Sequence, residues 1–168
     1  MSDSSEYKQD PVCHMDVSDN DIHERYQGSH FYFCSEQCRE RFVTNPHLYV
    51  GKAGIPSAKQ QGMHVLKQRV IRLESPANEE IQRQLIEVLQ AMMGVKEVDV
   101  EGDLVRIRYD LLEATAVQIE KSIDQSGAQL GKAWKDKLKS AFVHYLEETE
   151  LDNLEHQHES HGCHHNDK

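Results

Sequence analysis

The sequence has no excess of positive charge. Its 19 lysines and arginines stand against 29 aspartates and glutamates, and the formal net charge is −10. Nucleic acids and anionic membrane surfaces select basic protein faces, so this balance argues against both as partners. No apolar run approaches the ~20 residues of a membrane-spanning helix, and the start, MSDSSEYKQD, lacks the layout of a signal peptide. We therefore expect a cytoplasmic protein with no membrane insertion.

Motifs of the common enzyme classes are also missing. The sequence contains no G-x-S-x-G, no glycine-rich phosphate loop and no H-E-x-x-H. A catalytic Cys–His pair needs only proximity in space, so sequence alone does not rule one out. We expect no enzymatic activity, because the cysteines are spaced as metal ligands are.

The chain divides into a cysteine-bearing segment, a regular middle segment and a polar end. Residues 10–50 carry three of the four cysteines, and residues 51–63, with three glycines, one proline and no periodicity, are predicted to be a linker. Residues 64–134 show regular periodicity, residues 135–155 are predicted to be an amphipathic helix, and residues 156–168 form a histidine-rich tail that we expect to be disordered.

The middle segment predicts the order βαββαβ, the ferredoxin-like unit. HVLKQRVIRLE predicts a strand, and Ser75-Pro76 predicts the start of a helix. KEVDVE and LVRIRYD, joined at Gly102-Asp103, predict a hairpin. AQLGKAW follows a second helix and predicts a last short strand. The two helices are predicted from apolar residues at helical spacing: Ile81, Leu85, Val88, Leu89 and Met92 in the first, and Leu112, Ala116, Ile119 and Ile123 in the second.

A further helix is predicted after Trp134, with one apolar stripe along it. Acidic residues crowd the helix from Glu147 onward, where the helix dipole prefers cations, so we expect this end to fray. The predicted stripe consists of Trp134, Leu138, Ala141, Phe142 and Tyr145.

Cys13, Cys34 and Cys38 have the spacing C-x20-C-x3-C. In a reducing compartment, cysteines are more often metal ligands than disulfides, and thiolates select soft ions such as Zn(II) or Cu(I). FYF predicts a strand and SEQCRERF a helix start, with Ser35 at the N-cap and Cys38 at the third helical position, where the dipole favours a thiolate. The competing hypothesis is that the cysteines are small buried apolar residues.

The sequence leaves the fourth ligand open. His14 adjoins Cys13, and His23, His30 and His47 lie in the same segment. Tetrahedral zinc sites take four cysteines, three with one histidine, or two of each. A three-coordinate site is the alternative, and it would favour Cu(I) or an exchangeable ion.

Residues 10–50 resemble the YHS domain, a TRASH-like metal module. The resemblance rests on DPVCHM, YQGSHFYFCSEQC and RFVTNPHLY. It implies a treble-clef-like fold with Cys13, Cys34 and Cys38 as ligands. It also implies a role in heavy-metal handling beside copper-transporting P-type ATPases. His14 stands where the family usually has glycine, and it adds a nitrogen ligand or lies exposed.

Residues 64–134 resemble the heavy-metal-associated domain in pattern only. That family carries its metal on a C-x-x-C pair in the first β–α loop, where this chain has residues 74–78, ESPAN. Met92 and Met93 are weak copper-ligand candidates, since paired methionines on a helix are more often core residues. Because the middle segment lacks the C-x-x-C pair, we expect it to dock a partner and not to carry metal. The expected fold class of the whole chain is α+β.

The tail contains histidines at a density typical of metal-binding tracts. Imidazoles bind Ni(II), Zn(II), Cu(II) or Co(II) without a folded geometry, and the mixed composition argues against a purification tag. The candidate ligands are His156, His158, His161, Cys163, His164 and His165.

Two functions fit these features. The first is a heavy-metal carrier or buffer, holding Cu(I) or Zn(II) and working with a P-type metal-transporting ATPase. The second is an interaction module in which zinc is purely structural. A carrier releases its ion to a mild competitor, whereas a structural site does not. The sequence leaves the oligomeric state open.

Overall fold

Helices and small antiparallel sheets alternate along the chain. The structure is a computed structural model that describes residues 8–18, 22–135 and 137–157. It confirms a mixed helix-and-sheet protein. The strands are β1 (Lys8–Gln9), β2 (Asp16–Val17), β3 (His23–Tyr26), β4 (Ser29–Tyr32), β5 (Leu66–Arg72), β6 (Val95–Glu101) and β7 (Leu104–Asp110). The helices are α1 (Glu36–Thr44), a 3-10 turn (Pro46–Leu48), α2 (Glu79–Gln90), α3 (Ala116–Gln125), α4 (Lys132–Lys135) and α5 (Lys137–Gln157).

The N-terminal part is built around one aromatic ring. β1 pairs with β2, β3 pairs with β4, and α1 packs its buried Phe42 against the second hairpin. The Phe42 ring lies 4.9 Å from Phe31 and 5.2 Å from Phe33, measured between centroids. A short segment can bury only a little apolar surface, and aromatic contacts of this kind increase the area that it buries.

The middle part contains a three-stranded sheet in the order β5-β7-β6. Ile71 faces Val105 across the strands, and both are buried on the face that the helices cover. The opposite face is mainly charged, although Val70 is exposed on it, and Arg106 lies 2.9 Å from Asp99 and 3.0 Å from Glu101 there. The predicted last strand appears as a single bridge between Leu73 and Leu130.

The first long helix begins later than predicted. Its N-cap is Asn78 rather than Ser75, because the Asn78 side chain accepts a hydrogen bond from the backbone N–H of Ile81. Ala77, just before it, is held in the core by a backbone bond to Gly102. Val88, one of the apolar residues from which the helix was predicted, is 38% exposed.

The predicted apolar stripe is correct at Trp134, which is buried in α4, but wrong at Ala141, Phe142 and Tyr145 on α5. Phe142 is 59% exposed and Tyr145 is 63% exposed, whereas Glu147 and Leu151 are buried. The physical reason is that α5 packs by way of its acidic side chains. Glu147 accepts hydrogen bonds from the Tyr109 hydroxyl and from the backbone N–H of Ala116 at the start of α3. Glu147 and Glu150 also form ion pairs with Arg69 and Lys67, and the helix continues to Gln157, two residues past the predicted end at residue 155.

The segment predicted to be a linker forms turns that pack against the middle part. Lys59 is 4% exposed and forms an ion pair with the buried Glu113. Nearby, the hydroxyl of Tyr49 donates a 2.6 Å hydrogen bond to the carbonyl of Leu112. One cluster of buried apolar residues runs from Val12 to Leu151, so both parts share their core.

None of the helices among the described residues is long and apolar enough to cross a membrane.

A buried carboxylate makes the stability of this core depend on pH. Asp110 is fully buried, which works against its ionisation, but His64 Nδ1 at 2.7 Å and the N–H groups of Val65 and Leu112 hold its pKa below the ordinary value of an aspartate. A depressed folded-state pKa stabilises the protein above the unfolded pKa, and that contribution is lost as pH falls through the folded pKa. When the pH is lowered from neutral to below about 4, the free energy of unfolding measured in urea should fall less in Asp110→Asn than in the parent protein. Equal losses in both proteins would contradict this assignment.

Candidate metal centre

Four side chains from two distant stretches converge at one point. The ligand atoms of Asp10, Cys13, Cys34 and Cys38 all lie within 4.8 Å of one another. Cys34 Sγ lies 3.4 Å from Cys13 Sγ and 3.6 Å from Cys38 Sγ. In a tetrahedral zinc–thiolate site, with Zn–S near 2.3 Å, sulfurs stand about 3.8 Å apart. Small side-chain adjustments therefore suffice for these residues to hold one ion.

Cys13 lies in the turn that joins β1 to β2, and this turn positions its side chain. The backbone N–H of Asp10 donates to the carbonyl of Met15, and the N–H of His14 donates back to the carbonyl of Asp10, both at 2.9 Å. His14 takes a left-handed conformation, with φ of 62°, to complete this turn. Glycine adopts a positive φ without strain, so this turn would also accept glycine at position 14.

Cys34 and Cys38 are placed by the entry into α1. Ser35 is the N-cap, and its hydroxyl accepts a hydrogen bond from the backbone N–H of Cys38, the third helical residue. This local geometry was predicted from the sequence. It sets both sulfurs near the positive end of the helix dipole, which would help to stabilise thiolates once a metal ion has displaced their protons.

Asp10 is the member of the group that the sequence analysis missed. Its Oδ1 accepts from the N–H of Val12 at 2.8 Å and that of Cys13 at 3.4 Å, and its Oδ2 accepts from the N–H of Cys34 at 2.8 Å. A carboxylate offers about four lone-pair sites, so one site on Oδ2 is left for an ion. Asp10 can therefore join the two cysteine-bearing stretches and also ligate. The signal was the D-x-x-C in DPVCHM, although a carboxylate is not a preferred ligand of soft ions.

The three thiols do not ionise alike. Hydrogen bonding with Cys38 lowers the pKa of Cys13, while burial raises the pKa of Cys34 to about 12. The hydrogen bond to Cys13, with burial, raises the pKa of Cys38. In the metal-free group Cys13 therefore loses its proton more readily than the Cys34 and Cys38 thiols. A bound cation would replace the protons of those thiols, so metal uptake releases protons.

The histidines considered as the fourth ligand lie outside this group. His14 is exposed, and His23 and His30 point outward from the β3–β4 hairpin. His47 Nε2 lies 3.1 Å from the Tyr26 hydroxyl, and the His47 backbone N–H donates to Glu155. Of the histidines that the structure describes, none comes within the 4.8 Å that defines the group.

Most of the predicted tail site lies outside the described residues. This applies to His158, His161, Cys163, His164 and His165. His156 is described: it is exposed at the end of α5, with Nδ1 2.7 Å from the Asp152 carbonyl. Met92 and Met93 pack, partly buried, against the core.

Replacing Asp10 with asparagine should lower Zn(II) affinity by about 10- to 100-fold, the usual loss when a group that orients metal ligands is removed. The amide removes a negative charge and leaves one oxygen to serve three N–H donors. Competition with a zinc chelator measures the change. Asp16→Asn is the matched control, since Asp16 is exposed on β2 and outside the group. Unchanged affinity in Asp10→Asn would show that Asp10 has neither role.

One comparison with known proteins finds a match on this part of the chain. Residues 8–53 match the model of the YHS domain. Comparison of the chain with curated proteins and with solved structures finds no match. The matched segment contains all four members of the group, so the stretch that could hold a metal ion is the stretch that matches the YHS domain.

Proposed function

We propose that this protein binds a heavy-metal ion, Zn(II) or Cu(I), at Asp10, Cys13, Cys34 and Cys38 and acts as a carrier or buffer. The observation that carries the proposal is the convergence of three sulfurs, at 3.4 and 3.6 Å, with a carboxylate from a separate stretch. Buried apolar cysteines would not need such mutual alignment. The match of residues 8–53 to the YHS domain supports the same conclusion.

Uneven exposure of the sulfurs favours a carrier over a permanent structural site. Cys38 is fully buried, whereas Cys13 and Cys34 are only partly buried. A competing thiolate could approach the ion from the side of the two accessible sulfurs while Cys38 still holds it. A carboxylate is also a hard ligand and a weak partner for a soft ion, so the fourth position would exchange first.

The rest of the chain would support this role in the cytoplasm, with no catalytic activity. Residues 64–134 would be a ferredoxin-like, heavy-metal-associated-type domain that docks a P-type metal ATPase or another metal-handling protein. Its mainly charged sheet face suits a transient contact. The histidine-rich tail would capture Ni(II), Zn(II) or Cu(II).

A zinc-stabilised interaction module is the second candidate. It is favoured by the shared core, because metal at Cys38 would then stabilise both parts of the chain. Transfer of the ion would play no role in this case.

Metal content and exchange separate the two functions. The full chain would carry Gln at its tail histidines and Ser at Cys163, to confine binding to the proposed site. It would be purified under reducing conditions, analysed for metals, and titrated with Cu(I) and then with a Cu(I) chelator. One Cu(I) per chain, readily given up, supports the carrier. One zinc that Cu(I) does not displace supports the structural module, and no bound metal overturns both.

A further inference from the structure

Two histidines stand side by side on the outer face of the β3–β4 hairpin. In the register of this hairpin, His23 faces Tyr32 and Arg25 faces His30. Because side chains alternate along a strand, these four point to the same side. Phe31 points to the other side and packs against Phe42 in the core. His23 and His30 are both exposed, so the pair is open to solvent.

The separation of the two rings suits one shared ion. Their centroids lie 6.2 Å apart, with the planes inclined at 40°. With a metal–nitrogen distance of about 2.0 Å, two imidazoles on one ion have centroids about 5.2 Å apart at a tetrahedral angle and about 6.4 Å apart when opposed. The observed separation of 6.2 Å lies between these two values. A rotation of either side chain would bring the centroids to the roughly 5.2 Å expected at a tetrahedral angle.

Both rings are available to a ligand. Among the described residues, neither His23 nor His30 takes part in a side-chain hydrogen bond or an ion pair; His23 makes ring contacts with His30 and Tyr32. By contrast, His47, His64 and His144 are all engaged with hydroxyl or carboxylate groups. His23 and His30 differ in this respect from those three histidines.

Two cationic side chains near the same hairpin face repel a metal ion and so limit how tightly the histidine pair could bind it. Arg25 is exposed beside His30, and Lys8 Nζ lies 3.9 Å from the centroid of the Tyr32 ring. Neither residue is buried, so water and salt weaken their repulsion of a metal ion. The net charge of −10 on the chain acts in the opposite direction and attracts cations.

We propose that His23 and His30 form a second metal site, which takes a borderline divalent cation such as Zn(II), Ni(II) or Cu(II). Imidazole suits these ions, whereas the thiolate-rich group suits soft ones. The two sites therefore differ in chemistry, and the second does not depend on the proposed function of the first. With only two protein ligands, the ion keeps water in its other positions and exchanges readily.

Zinc titration of the full chain tests the proposal. The protein carries Gln at the tail histidines and Ser at Cys163, and its cysteine group is first loaded with one equivalent of Zn(II). Binding of a second equivalent is followed by calorimetry and by the NMR signals of the histidine rings. We expect His23→Gln and His30→Gln each to weaken the second binding event by at least about tenfold, and the double variant to be no worse than either, because both rings are needed for chelation.

Controls separate this site from other causes. Tyr32→Phe should leave the second event unchanged, and Arg25→Gln should leave it unchanged or tighten it, because a like charge is removed. In a Cys34→Ser background, Zn(II) should still shift the His23 and His30 signals, so failure of the cysteine site and failure of this site are distinguishable. A second event that survives both single substitutions, or that depends on only one histidine, would overturn the proposal.

Discussion

Replacing Cys34 with serine is expected to lower Zn(II) affinity by more than about 100-fold, beyond the loss typical of an orienting group. Cys34 Sγ is within 3.6 Å of both other sulfurs, so its loss removes the central donor of the group. A serine hydroxyl is a poor substitute, since it does not ionise at neutral pH. Chelator competition, in a chain with its tail histidines replaced by glutamine and Cys163 kept, measures the affinity.

A matched control is available for this substitution. Cys163 is a thiol in the tail, so Cys163→Ser removes one sulfur from the chain while leaving Cys13, Cys34 and Cys38 intact. We expect its effect on tight Zn(II) binding to be small. Metal content and affinity that survive Cys34→Ser would show that the clustered thiols are core residues and would remove the basis of the proposed function.

Replacing Glu113 with glutamine is expected to destabilise the fold by about 3–5 kcal/mol, the usual cost of breaking one side of a buried ion pair. The side chain of Lys59 is only 5% exposed, and Glu113 is its carboxylate partner, so the substitution leaves a buried ammonium unpaired. Urea unfolding followed by the fluorescence of Trp134, the single tryptophan and a buried one, measures the loss.

The double variant Lys59→Met/Glu113→Leu tests the cause. Apolar replacements of a buried pair are often neutral or stabilising, so we expect it to unfold closer to the parent than Glu113→Gln does. A Glu113→Gln protein as stable as the parent would show that Lys59 finds solvent, and that residues 51–63 detach from the middle part at little cost.

The shared core changes what loss of the metal site would do. From the sequence, residues 10–50 form a separate unit that would unfold alone. In the structure, Gln37, between Cys34 and Cys38, donates to the carbonyls of Met93 and Glu113, and Asn45 donates to Asp152 and Glu155 on α5. Because these contacts cross between the parts, we expect Cys34→Ser to lower the melting temperature of the whole chain.

Local signals in the sequence predicted the elements that carry the site. Ser35 before E-Q-C predicted the start of α1 and the position of Cys38, because an N-cap hydroxyl and the third helical N–H are neighbours in sequence. Gly102-Asp103 predicted the β6–β7 hairpin, since the turn needs a residue with positive φ, and Gly102 has φ of 59°. Such features depend on three or four adjacent residues.

The errors arose where a distant partner decides the role of a residue. Asp10 was not recognised as a possible metal ligand, because its proximity to Cys34 depends on how the two hairpins pack against each other. The burial of Glu147 on α5 was missed, because the N–H of Ala116 and the hydroxyl of Tyr109 offer it hydrogen bonds that no apolar pattern records.

By itself, the sequence determined which side chains could bind a soft ion and where the main helices and strands run, because thiolate chemistry, capping and periodicity act over a few residues. Only the tertiary structure decided that Asp10 completes the group, that His23 and His30 stand together instead of joining it, and that the two parts share one core. Those outcomes depend on contacts between residues far apart in the chain. Such contacts contribute to stability only when the whole chain is folded.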